Sequence, residues 1–431
     1  MKRECVAMIL ADGHGSELSE LMKGPCFYGG GHRIIDFALS NCSYSGFDVV
    51  GIPARPSCVG LRSYIGNGRP WNLSERDGGI FVLPCGEGRE HGGAVDAISR
   101  NIGFLERFTP CHVCVLSGTH VYRMDYSRML DAHKRNDADV TIASVPESYP
   151  EARGHDAVSA DENGAIFDFQ EKSRGVRSSL ASMGVYIFRW SVLRKYLSAD
   201  RPGGRGRDFG RDVVPAMLRA GKKLCAYRFG GYWRDVETVE DLWKFNMDIL
   251  RDPAEFLFRD ETREVLGVSD TAPFRFIDES PTVRRSLLYG LHAIHGRVEG
   301  SVLSDSVVVE KGAEVVDSVL MPNVYIGKNA KISKAVIACN SRLMEGVEIG
   351  AENGLPDFVS DRFRSGGVSL VAPWVRITRG TKLQKNSYVE SDVFGGRRYA
   401  GRWNQNPDAR NPVGNGPHAQ PAFADFLRPV R

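Results

Sequence analysis

Short apolar runs alternate with amphipathic stretches up to about residue 250 of the chain. The apolar runs have the length and composition of strands, which are predicted at residues 6–10, 49–53, 112–116, 140–145, 183–188 and 223–227. Amphipathic stretches predict helices at residues 37–45, 95–108, 126–136, 191–197, 213–220 and 239–250. Strands separated by helices are typical of an α/β fold with a doubly wound, mostly parallel sheet. Ligands in such sheets lie beyond the C-terminal ends of the strands.

A second pattern, an internal repeat, follows in the C-terminal part of the chain. An aliphatic residue recurs every six positions, and groups of three recur every 17 positions. The groups are Leu303, Val309 and Val315; Leu320, Ile326 and Ile332; and Ile337, Leu343 and Ile349. One aliphatic residue on each face of a triangular coil is the signature of a left-handed parallel β-helix. Three unrelated pairs of strands would fit so regular a step poorly.

These two patterns divide the chain into four segments. Residues 1–250 form the predicted α/β domain, residues 251–290 a connector without strong periodicity, and residues 291–393 the left-handed β-helix domain. The tail, residues 394–431, is rich in Gly, Pro, Asn and Arg and poor in aliphatic residues, so we expect it to be disordered.

The composition is that of an ordinary soluble globular protein of two or three domains, with 431 residues, 42% apolar and 25% charged. A formal net charge of +3 gives no bias towards nucleic acid or an acidic membrane surface. No apolar run approaches the ~20 residues that span a bilayer. The N-terminal apolar run leads directly into a glycine-containing turn, so it is expected to be a strand rather than a signal peptide.

The nine cysteines are mostly scattered among apolar neighbours. Cys111 and Cys114 have CxxC spacing, but no second pair of that spacing accompanies them. Packed, reduced thiols are therefore favoured over a zinc or redox site, and a cytoplasmic location is the simplest interpretation.

The first predicted strand is followed by a short polar turn that contains two glycines. The turn reads Ala11-Asp12-Gly13-His14-Gly15-Ser16 and precedes a helix-like pattern. Glycine lets backbone N–H groups approach a phosphate, and a helix N-terminus adds partial positive charge. A plain structural turn explains the same residues, so the turn alone does not establish nucleotide binding.

Six longer strings carry more specific information. They are RIIDFALSNCSYSG (33–46), SYIGNGRPWNL (63–73), LASMGVYIF (180–188), RDFGRDVVP (207–215), GYWRDVETVEDLW (231–243) and SVLMPNVYIGKNAKI (318–332). These strings closely resemble the bacterial glucose-1-phosphate adenylyltransferase family, also called ADP-glucose pyrophosphorylase. The resemblance covers roughly residues 3 to 393, with both predicted domains in the right order.

The resemblance implies a Rossmann-like nucleotidyltransferase domain and a reaction of glycogen synthesis. In that reaction ATP and glucose 1-phosphate give ADP-glucose and pyrophosphate, with magnesium as the cofactor. Such chemistry consists mostly of positioning and charge neutralisation. Many members of the family are hetero-oligomers that combine a catalytic and a regulatory subunit.

The nucleotide side departs from the family pattern. The resemblance assigns it to Ala11, Asp12, Gly13, Gly15, Glu17 and Gly93. The family loop reads like L-A-G-G-x-G-x-R-L, whereas Asp12 here replaces a Gly and Glu17 replaces the Arg. One like-charge pair at ~5 Å and an effective dielectric of ~20 costs roughly 3 kcal/mol. Gly24 stands where the family has Lys before Pro, and the neighbouring Lys23 is the candidate catalytic cation.

The residues of the predicted metal site also depart from the family pattern. The family's S-G-D-H is Ser117-Gly118-Thr119-His120 here, so Thr119 replaces the Asp that would bind magnesium. A neutral hydroxyl is a poor ligand for a hard dication. The second family carboxylate is retained as Asp235, which is the remaining candidate metal ligand and catalytic residue.

The sugar-phosphate side matches the family better. The resemblance assigns it to Glu171, Lys172, Ser182, Gly184, Asp208 and Trp233. Structural explanations stay open, because Asp208 has the character of a helix cap, Trp233 of a core residue and Lys172 of a solvated surface charge. A nearby family Phe-Gly is replaced by His155-Asp156.

Two functions fit this uneven pattern. The first is a catalytically weak or inactive regulatory subunit that binds glucose 1-phosphate or ADP-glucose, binds ATP weakly or not at all, and assembles as a homo- or hetero-oligomer with a catalytic homologue. The second is an active enzyme in which His14, Lys23, Arg55 or His120 compensates for the substitutions. An acyltransferase based on the β-helix would leave the N-terminal domain without a role. An intact homologue in the same cell would favour the first function.

Overall fold

The structure is a computed structural model, and it describes residues 3–11, 28–29, 32–55, 59–74, 78–85, 93–149, 152, 154–171, 180–198, 207–252, 265–268, 274–279, 282–355, 366–394 and 397–398. The chain divides into two compact units, Met1–Thr271 and Ala272–Arg431.

The first unit alternates strands and helices. Its strands are β1 Cys5–Leu10, β2 Tyr28–Gly29, β3 His32–Arg33, β4 Val49–Ala54, β5 Gly79–Pro84, β6 His112–Ser117, β7 His120–Tyr122, β8 Val140–Pro146, β9 Ala157–Ala160, β10 Ile166–Gln170, β11 Leu180–Arg189, β12 Leu224–Arg228 and β13 Trp233–Asp235. Its helices are α1 Ile34–Tyr44, α2 Val59–Ile65, α3 Ala94–Ser99, α4 Ile102–Phe108, α5 Tyr126–Arg135, α6 Trp190–Leu197, α7 Val214–Arg219 and α8 Val239–Arg251. A 3-10 turn at Arg69–Trp71 and a π-helical turn at Phe209–Val213 complete these elements.

One nine-stranded sheet organises the first unit, in the order β10–β9–β11–β6–β1–β4–β5, with β8 beside β11 and β12 beside β8. The pairs β1–β4, β1–β6, β4–β5 and β12–β8 are parallel. The predicted α/β fold class is confirmed. Strand β11, predicted over residues 183–188, runs antiparallel to β6, β8 and β9. Strands β9 and β10 form an antiparallel pair, so the chain reverses direction here instead of crossing over in parallel.

Strand β1 is buried on both faces, as a central strand of a doubly wound sheet must be. Ala7 and Ile9 belong to the cluster that includes α1 and α5, whereas Val6 and Met8 belong to the cluster that includes α3, α4 and α6. Cys114 lies buried in the first cluster as a free thiol. In the ranges given above, no helix combines the length and hydropathy needed to cross a bilayer.

The helix predicted over residues 95–108 is interrupted, giving α3 and α4. Asn101 separates them, and its side-chain amide donates to the carbonyl oxygens of Pro84 at 2.9 Å and Ala97 at 2.8 Å. A side chain that binds backbone acceptors in this way competes with continued helix formation. Hydrophobic periodicity does not report such a contact, because it registers only which face is apolar.

Helix α1 begins with a buried carboxylate. Asp36 is 1% exposed, and it accepts hydrogen bonds from the Tyr64 hydroxyl at 2.7 and 2.8 Å and from the Arg33 N–H at 2.9 Å. Burial raises the pKa of Asp36 to about 7, although the hydrogen bonds from Tyr64 and Arg33 pull that pKa down.

The second unit consists of short strands. They are β14 Phe274–Glu279, β15 Val283–Tyr289, β16 Ala293–Ile294, β17 Arg297–Glu299, β18 Val302–Leu303, β19 Val308–Val309, β20 Glu314–Val316, β21 Val319–Leu320, β22 Tyr325–Ile326, β23 Lys331–Ser333, β24 Ala335–Ile337, β25 Arg342–Leu343, β26 Glu348–Ala351, β27 Ser369–Val371, β28 Arg376–Ile377, β29 Lys382–Gln384, β30 Tyr388–Val389, β31 Val393–Phe394 and β32 Arg397–Arg398.

The predicted repeat is confirmed by the strand register. Each of its three rows of aliphatic residues is paired in parallel from coil to coil and buried: Leu303–Leu320–Ile337, Val309–Ile326–Leu343 and Val315–Ile332–Ile349. This pairing fits the predicted left-handed parallel β-helix. The strands of this unit start earlier than the pattern indicated, because β14 and β15 lie within the residues assigned to a connector, and β15 pairs in parallel with β17 and β18. The predicted tail begins at residue 394, but Phe394 is the last residue of β31 and Arg397–Arg398 form β32. Residues 395–396 and 399–431 lie outside the described residues.

A row of buried serines joins successive coils. The N–H of Ser301 donates to the Ser286 hydroxyl at 3.1 Å, that of Ser318 to the Ser301 hydroxyl at 3.1 Å, and that of Ala335 to the Ser318 hydroxyl at 3.2 Å. Each hydroxyl donates in turn to the carbonyl oxygen two residues earlier. The serine row therefore satisfies backbone donors inside the β-helix that would otherwise be buried without a partner.

A row of charges on the surface follows the same register. Arg297, Glu314, Lys331, Glu348 and Lys382 are paired in that order between neighbouring coils. The charge alternates at every step, and the Lys382 ammonium lies 2.8 Å from the Glu348 carboxylate. Opposite charges directly across a strand pair stabilise it by roughly 0.2–1 kcal/mol each. This alternating row therefore favours the observed pairing of coils.

Replacing Ser318 by Ala should lower the free energy of unfolding by about 1–3 kcal/mol, because the Ala335 N–H would lose its acceptor inside the β-helix. Denaturant unfolding of the full chain measures this. Ser333→Ala is the matched control, since Ser333 is exposed and its hydroxyl is not in the row. Equal losses in the two variants would contradict a role for the serine row.

Asp36 should make stability fall as the pH rises. A carboxyl whose folded-state pKa is raised to about 7 binds a proton more tightly in the folded than in the unfolded chain. Its contribution is complete below the unfolded pKa of ~3.9 and is lost as the pH rises through about 7. Between pH 4 and 8 the advantage of Asp36→Asn over the unmodified chain should therefore grow by roughly 3 to 4 kcal/mol. Urea unfolding at several pH values tests this.

The exposed Asp131, which pairs with Lys134 on helix α5, provides the control. The difference in free energy of unfolding between Asp131→Asn and the unmodified chain should stay constant across the pH range. If the difference between Asp36→Asn and the unmodified chain is constant as well, Asp36 is not the source of the pH dependence.

Candidate active site

The C-terminal ends of β1 and β6 place two of the predicted turns side by side. Leu10 is in register with Ser117, and the Gly118 N–H donates to the Leu10 carbonyl at 3.0 Å. A Cβ on Gly118 would lie 2.9 Å from the Cα of Ala11, which is buried. Glycine at position 118 therefore lets the turn after β6 approach the start of the predicted nucleotide turn. Asp12, Gly13, Gly15, Glu17, Lys23 and Lys172 lie outside the described residues.

A two-stranded ribbon brings together the two positions of the predicted metal site. Strands β7 and β13 are antiparallel, with Asp235 opposite His120, and the Val236 N–H donates to the Thr119 carbonyl at 3.1 Å. The Thr119 hydroxyl consequently donates to Asp235 Oδ1 at 3.0 Å. The Ser117 and Thr119 hydroxyl oxygens are 2.9 Å apart, which extends this polar cluster to the end of β6.

His120 occupies the other oxygen of Asp235. Its Nε2 lies 3.3 Å from Asp235 Oδ2, and the indole N–H of Trp233 points to its Nδ1 at 3.5 Å. Because Nδ1 accepts from the indole, the ring proton belongs on Nε2, where it is donated to the carboxylate. Thr119 and His120 thus hold Asp235 directly, and Trp233 orients His120.

Asp235 is ionised under ordinary conditions even though it is buried. Burial works to raise the pKa of its carboxyl, but the neighbouring His120 and His155 rings and the Thr119 hydroxyl outweigh burial and hold that pKa below its usual value. The carboxylate is therefore a stable part of the folded site.

Trp233 is fully buried, in agreement with the structural explanation left open for it. Its ring makes edge contacts with His120 and His155, with ring centroids 5.7 and 4.7 Å apart. Its backbone N–H donates to the Tyr149 hydroxyl at 3.2 Å, which itself donates to the Gly231 carbonyl at 3.0 Å. These contacts fix the ribbon that carries Asp235.

Ser182 and Gly184 lie at an irregularity in β11. The register of β11 against β8 shifts between Ser182 and Tyr186, and Gly184 has φ +67°. The Gly184 N–H donates to the Ser182 hydroxyl at 3.1 Å, and a Cβ on Gly184 would lie 3.4 Å from the His120 ring. Glycine supplies this backbone conformation at no steric cost, so the bulge places part of the predicted sugar side next to the Asp235 cluster.

Asp208 caps the π-helical turn at Phe209–Val213, which matches the helix-cap explanation. Its Oδ1 accepts from the N–H groups of Gly210 at 2.8 Å and Arg211 at 3.3 Å. Its Oδ2 makes no hydrogen bond within the described ranges. Burial raises the pKa of the Tyr186 hydroxyl, and the charges of Asp156 and Asp208 raise it further, so Tyr186 faces both carboxylates in its protonated form.

Gly93 has a structural reason to be glycine. It is the residue before α3, and a Cβ there would overlap the carbonyl oxygen of Arg207. This close contact places the candidate nucleotide residue Gly93 beside the segment that leads into Asp208. Glu171 is exposed at the end of β10.

Sequence reasoning missed two contributors to this site. Tyr149 supports Trp233 from a turn after β8, and Arg207 binds Asp96, which is 111 positions away. Neither contact has a local signal, because a Tyr in a turn and an Arg near a carboxylate are common. His120 follows Thr119 in the sequence motif, but its hydrogen bond with the Trp233 indole depends on the pairing of β7 with β13, which the sequence does not show.

Two families match the two units of the chain. The family described as Nucleotidyl transferase matches residues 6–252, and the family described as GlmU-like, C-terminal hexapeptide matches residues 273–371.

Curated relatives match nearly over their full length. The chain is 43% identical to the glucose-1-phosphate adenylyltransferase of Bacillus cytotoxicus over 367 residues, which are 83% of this chain and 98% of the relative. It is 36% identical to the protein of the same name from Acetivibrio thermocellus, over 90% of this chain and 93% of the relative. Identity to the Bacillus thuringiensis protein of that name is 42%, over 83% of this chain and 98% of the relative.

Nucleotidyl transferases generally use magnesium, and the described side chains at the predicted metal site supply one carboxylate, that of Asp235. Magnesium prefers oxygen ligands in octahedral geometry and is usually held by one or two carboxylates. Here both oxygens of Asp235 are engaged by Thr119 and His120. In the portion of the chain that the structure describes, no three His, Cys, Asp or Glu side chains are placed to hold a metal ion.

Thr119→Asp should create a carboxylate pair whose stability depends on magnesium. The new carboxylate would replace a hydroxyl that lies 3.0 Å from Asp235 Oδ1, so like-charge repulsion should lower the melting temperature in EDTA. A dication that binds only the folded pair should raise it again by roughly 2–4 °C per kcal/mol. Thermal unfolding with and without ~10 mM MgCl2, many times a millimolar Kd, measures both effects.

Thr119→Asn is the matched control, because asparagine has the shape of aspartate without its charge. The unmodified chain and Thr119→Asn should melt at temperatures that are unaffected by magnesium. A magnesium-dependent melting temperature in the unmodified chain, abolished by Asp235→Asn, would show that the native cluster binds the ion.

Proposed function

We propose that this chain, which belongs to the glucose-1-phosphate adenylyltransferase family of nucleotidyl transferases, is a catalytically weak or inactive regulatory subunit of that enzyme in glycogen synthesis. The observation that carries the proposal is the hydrogen bond from Thr119 to Asp235, at the position where two carboxylates would hold a metal ion. The proposed location is the cytoplasm.

Charge at the triphosphate supports the same function. Phosphoryl transfer depends on positioning and on neutralising negative charge near the phosphates. In the sequence, Asp12 and Glu17 add negative charge on the nucleotide side, and Gly24 stands in place of a Lys. Together with the neutral Thr119, these residues remove attraction where ATP and its metal would need it.

The sugar side supports a retained ligand, glucose 1-phosphate or ADP-glucose. Asp208 keeps one carboxylate oxygen outside its cap, and Ser182 and Gly184 lie next to the Asp235 cluster. A sugar monophosphate carries less charge than a triphosphate, so it is repelled less by Asp12 and Glu17. The proposed partner is a catalytic homologue in a hetero-oligomer, because both matched units are present at nearly the full length of the relatives.

The purified chain should release pyrophosphate from ATP and glucose 1-phosphate, with magnesium, at least ~10³-fold more slowly than an intact relative such as the Bacillus cytotoxicus protein. That factor corresponds to ~4 kcal/mol of lost transition-state stabilisation. A coupled pyrophosphate assay on both proteins measures it. Turnover near ~10 per second, the median for enzymes, would establish the active alternative instead.

The same assay on restored variants separates a degenerate site from a misfolded preparation. Asp12→Gly, Glu17→Arg and Thr119→Asp together should regain more activity than the single changes add up to, since they act as one site. A triple variant as slow as the unmodified chain would show that these three residues do not limit catalysis.

A further inference from the structure

Arg207 connects two helices through its guanidinium group. It donates from Nε to Asp96 Oδ1 at 2.8 Å and from its terminal nitrogens to the Ser99 hydroxyl at 3.0 Å and to the carbonyl oxygens of Tyr196 and Leu197 at 3.1 Å each. Asp96 and Ser99 belong to α3, whereas Tyr196 and Leu197 are the last residues of α6. Arg207 and Asp96 are mostly buried, with side chains 19% and 22% exposed.

The backbone of Arg207 is held by the same helix. Its N–H donates to Asp96 Oδ2 at 2.8 Å, and its carbonyl accepts from the Val95 N–H at 3.2 Å. Asp96 Oδ2 also accepts from the Gly93 N–H at 3.1 Å. One carboxylate therefore holds both Gly93 and Arg207, and these two residues are packed so closely that a side chain on Gly93 would overlap the Arg207 carbonyl.

The next residue is Asp208, whose position follows from that of Arg207. The Asp208 N–H donates to Asp212 Oδ2 at 2.8 Å, and Oδ1 caps the following turn. The carboxylate is thus fixed from both sides along the chain, while Oδ2 makes no hydrogen bond to any residue that the structure describes. A preorganised acceptor binds a hydroxyl more tightly than one that must be ordered on binding, because the entropic cost is already met in the free protein.

We propose that Arg207 is a positioning residue, which orients Asp208 towards the hydroxyl groups of a bound sugar and ties it to the Gly93 turn. The inference rests on the proposed function in so far as the ligand is a sugar phosphate or nucleotide sugar. Arg207 acts through Asp208 and touches no ligand itself. The fork of the guanidinium is suited to this role, since its five fixed donors bind a carboxylate and the C-terminal carbonyls of a helix at once, whereas an ammonium group has three donors at a single point.

The test is calorimetric titration of the full chain with glucose 1-phosphate and with ADP-glucose. Arg207→Ala should weaken binding of both ligands by ~10-fold, because Asp208 loses its orientation. Arg207→Lys keeps the charge without the fork and should recover only part of that affinity. Arg194→Ala is the matched control, because Arg194 pairs with Glu106 on an exposed surface and should leave both affinities unchanged.

A double-mutant cycle separates positioning from general stabilisation. Asp208→Asn should weaken binding by itself, and adding Arg207→Ala in that background should weaken it by less than ~2-fold more. Two results would overturn the positioning role and leave the proposed function standing. One is full additivity of the two losses of binding free energy. The other is that Arg207→Ala leaves the affinity unchanged while Asp208→Asn weakens it. Absence of binding by the unmodified chain to both ligands would overturn the proposed sugar-phosphate ligand and this inference with it.

Discussion

The negative charge of Asp235 is the constraint to which the rest of the candidate site is fitted. A carboxylate buried in a protein must be compensated, since an unpaired buried charge is strongly destabilising. Here two side-chain donors compensate it, the Thr119 hydroxyl from the turn between β6 and β7 and an imidazole that is itself oriented by an indole. The ribbon of β7 and β13, the support from Tyr149 and the glycine bulge at Gly184 all serve to bring these groups together.

Each oxygen of the Asp235 carboxylate has a donor from the protein itself. The neutral Thr119, at the position where the family resemblance predicts a second carboxylate, therefore leaves no buried charge of this cluster without a partner. A threonine is large enough to reach Asp235 Oδ1 and carries a donor. The structure thus gives a physical reason why this buried cluster is stable with a neutral side chain at position 119, and the proposed regulatory role depends on that stability.

The parts of the fold that depend on period and spacing could be predicted from the sequence. The six-residue spacing of Leu303, Val309 and Val315 became the three rows of the β-helix, and the apolar run of β1 became a central strand. Other features depend on distant partners and could not be predicted. The break at Asn101 follows from a bond to Pro84, the direction of β11 follows from the strand pair before it, and Arg207 is fixed by Asp96. At the site, the departure of Thr119 from the resembled family pattern could be seen in the sequence, but its hydrogen bond to Asp235 could not.

The alternating charges on the β-helix give this repeat two different periods. The buried aliphatic residues repeat after one coil, so they allow a strand to pair with the wrong coil at little cost in packing. The exposed row from Arg297 to Lys382 repeats only after two coils. A slip of one coil, or loss of one 17-residue coil, would place Arg297 beside Lys331 and Glu314 beside Glu348, with like charges in contact. The surface charges thereby specify which coils pair, which the buried aliphatic residues do not. Insertion or deletion of two coils keeps opposite charges adjacent, whereas insertion or deletion of one coil brings like charges together.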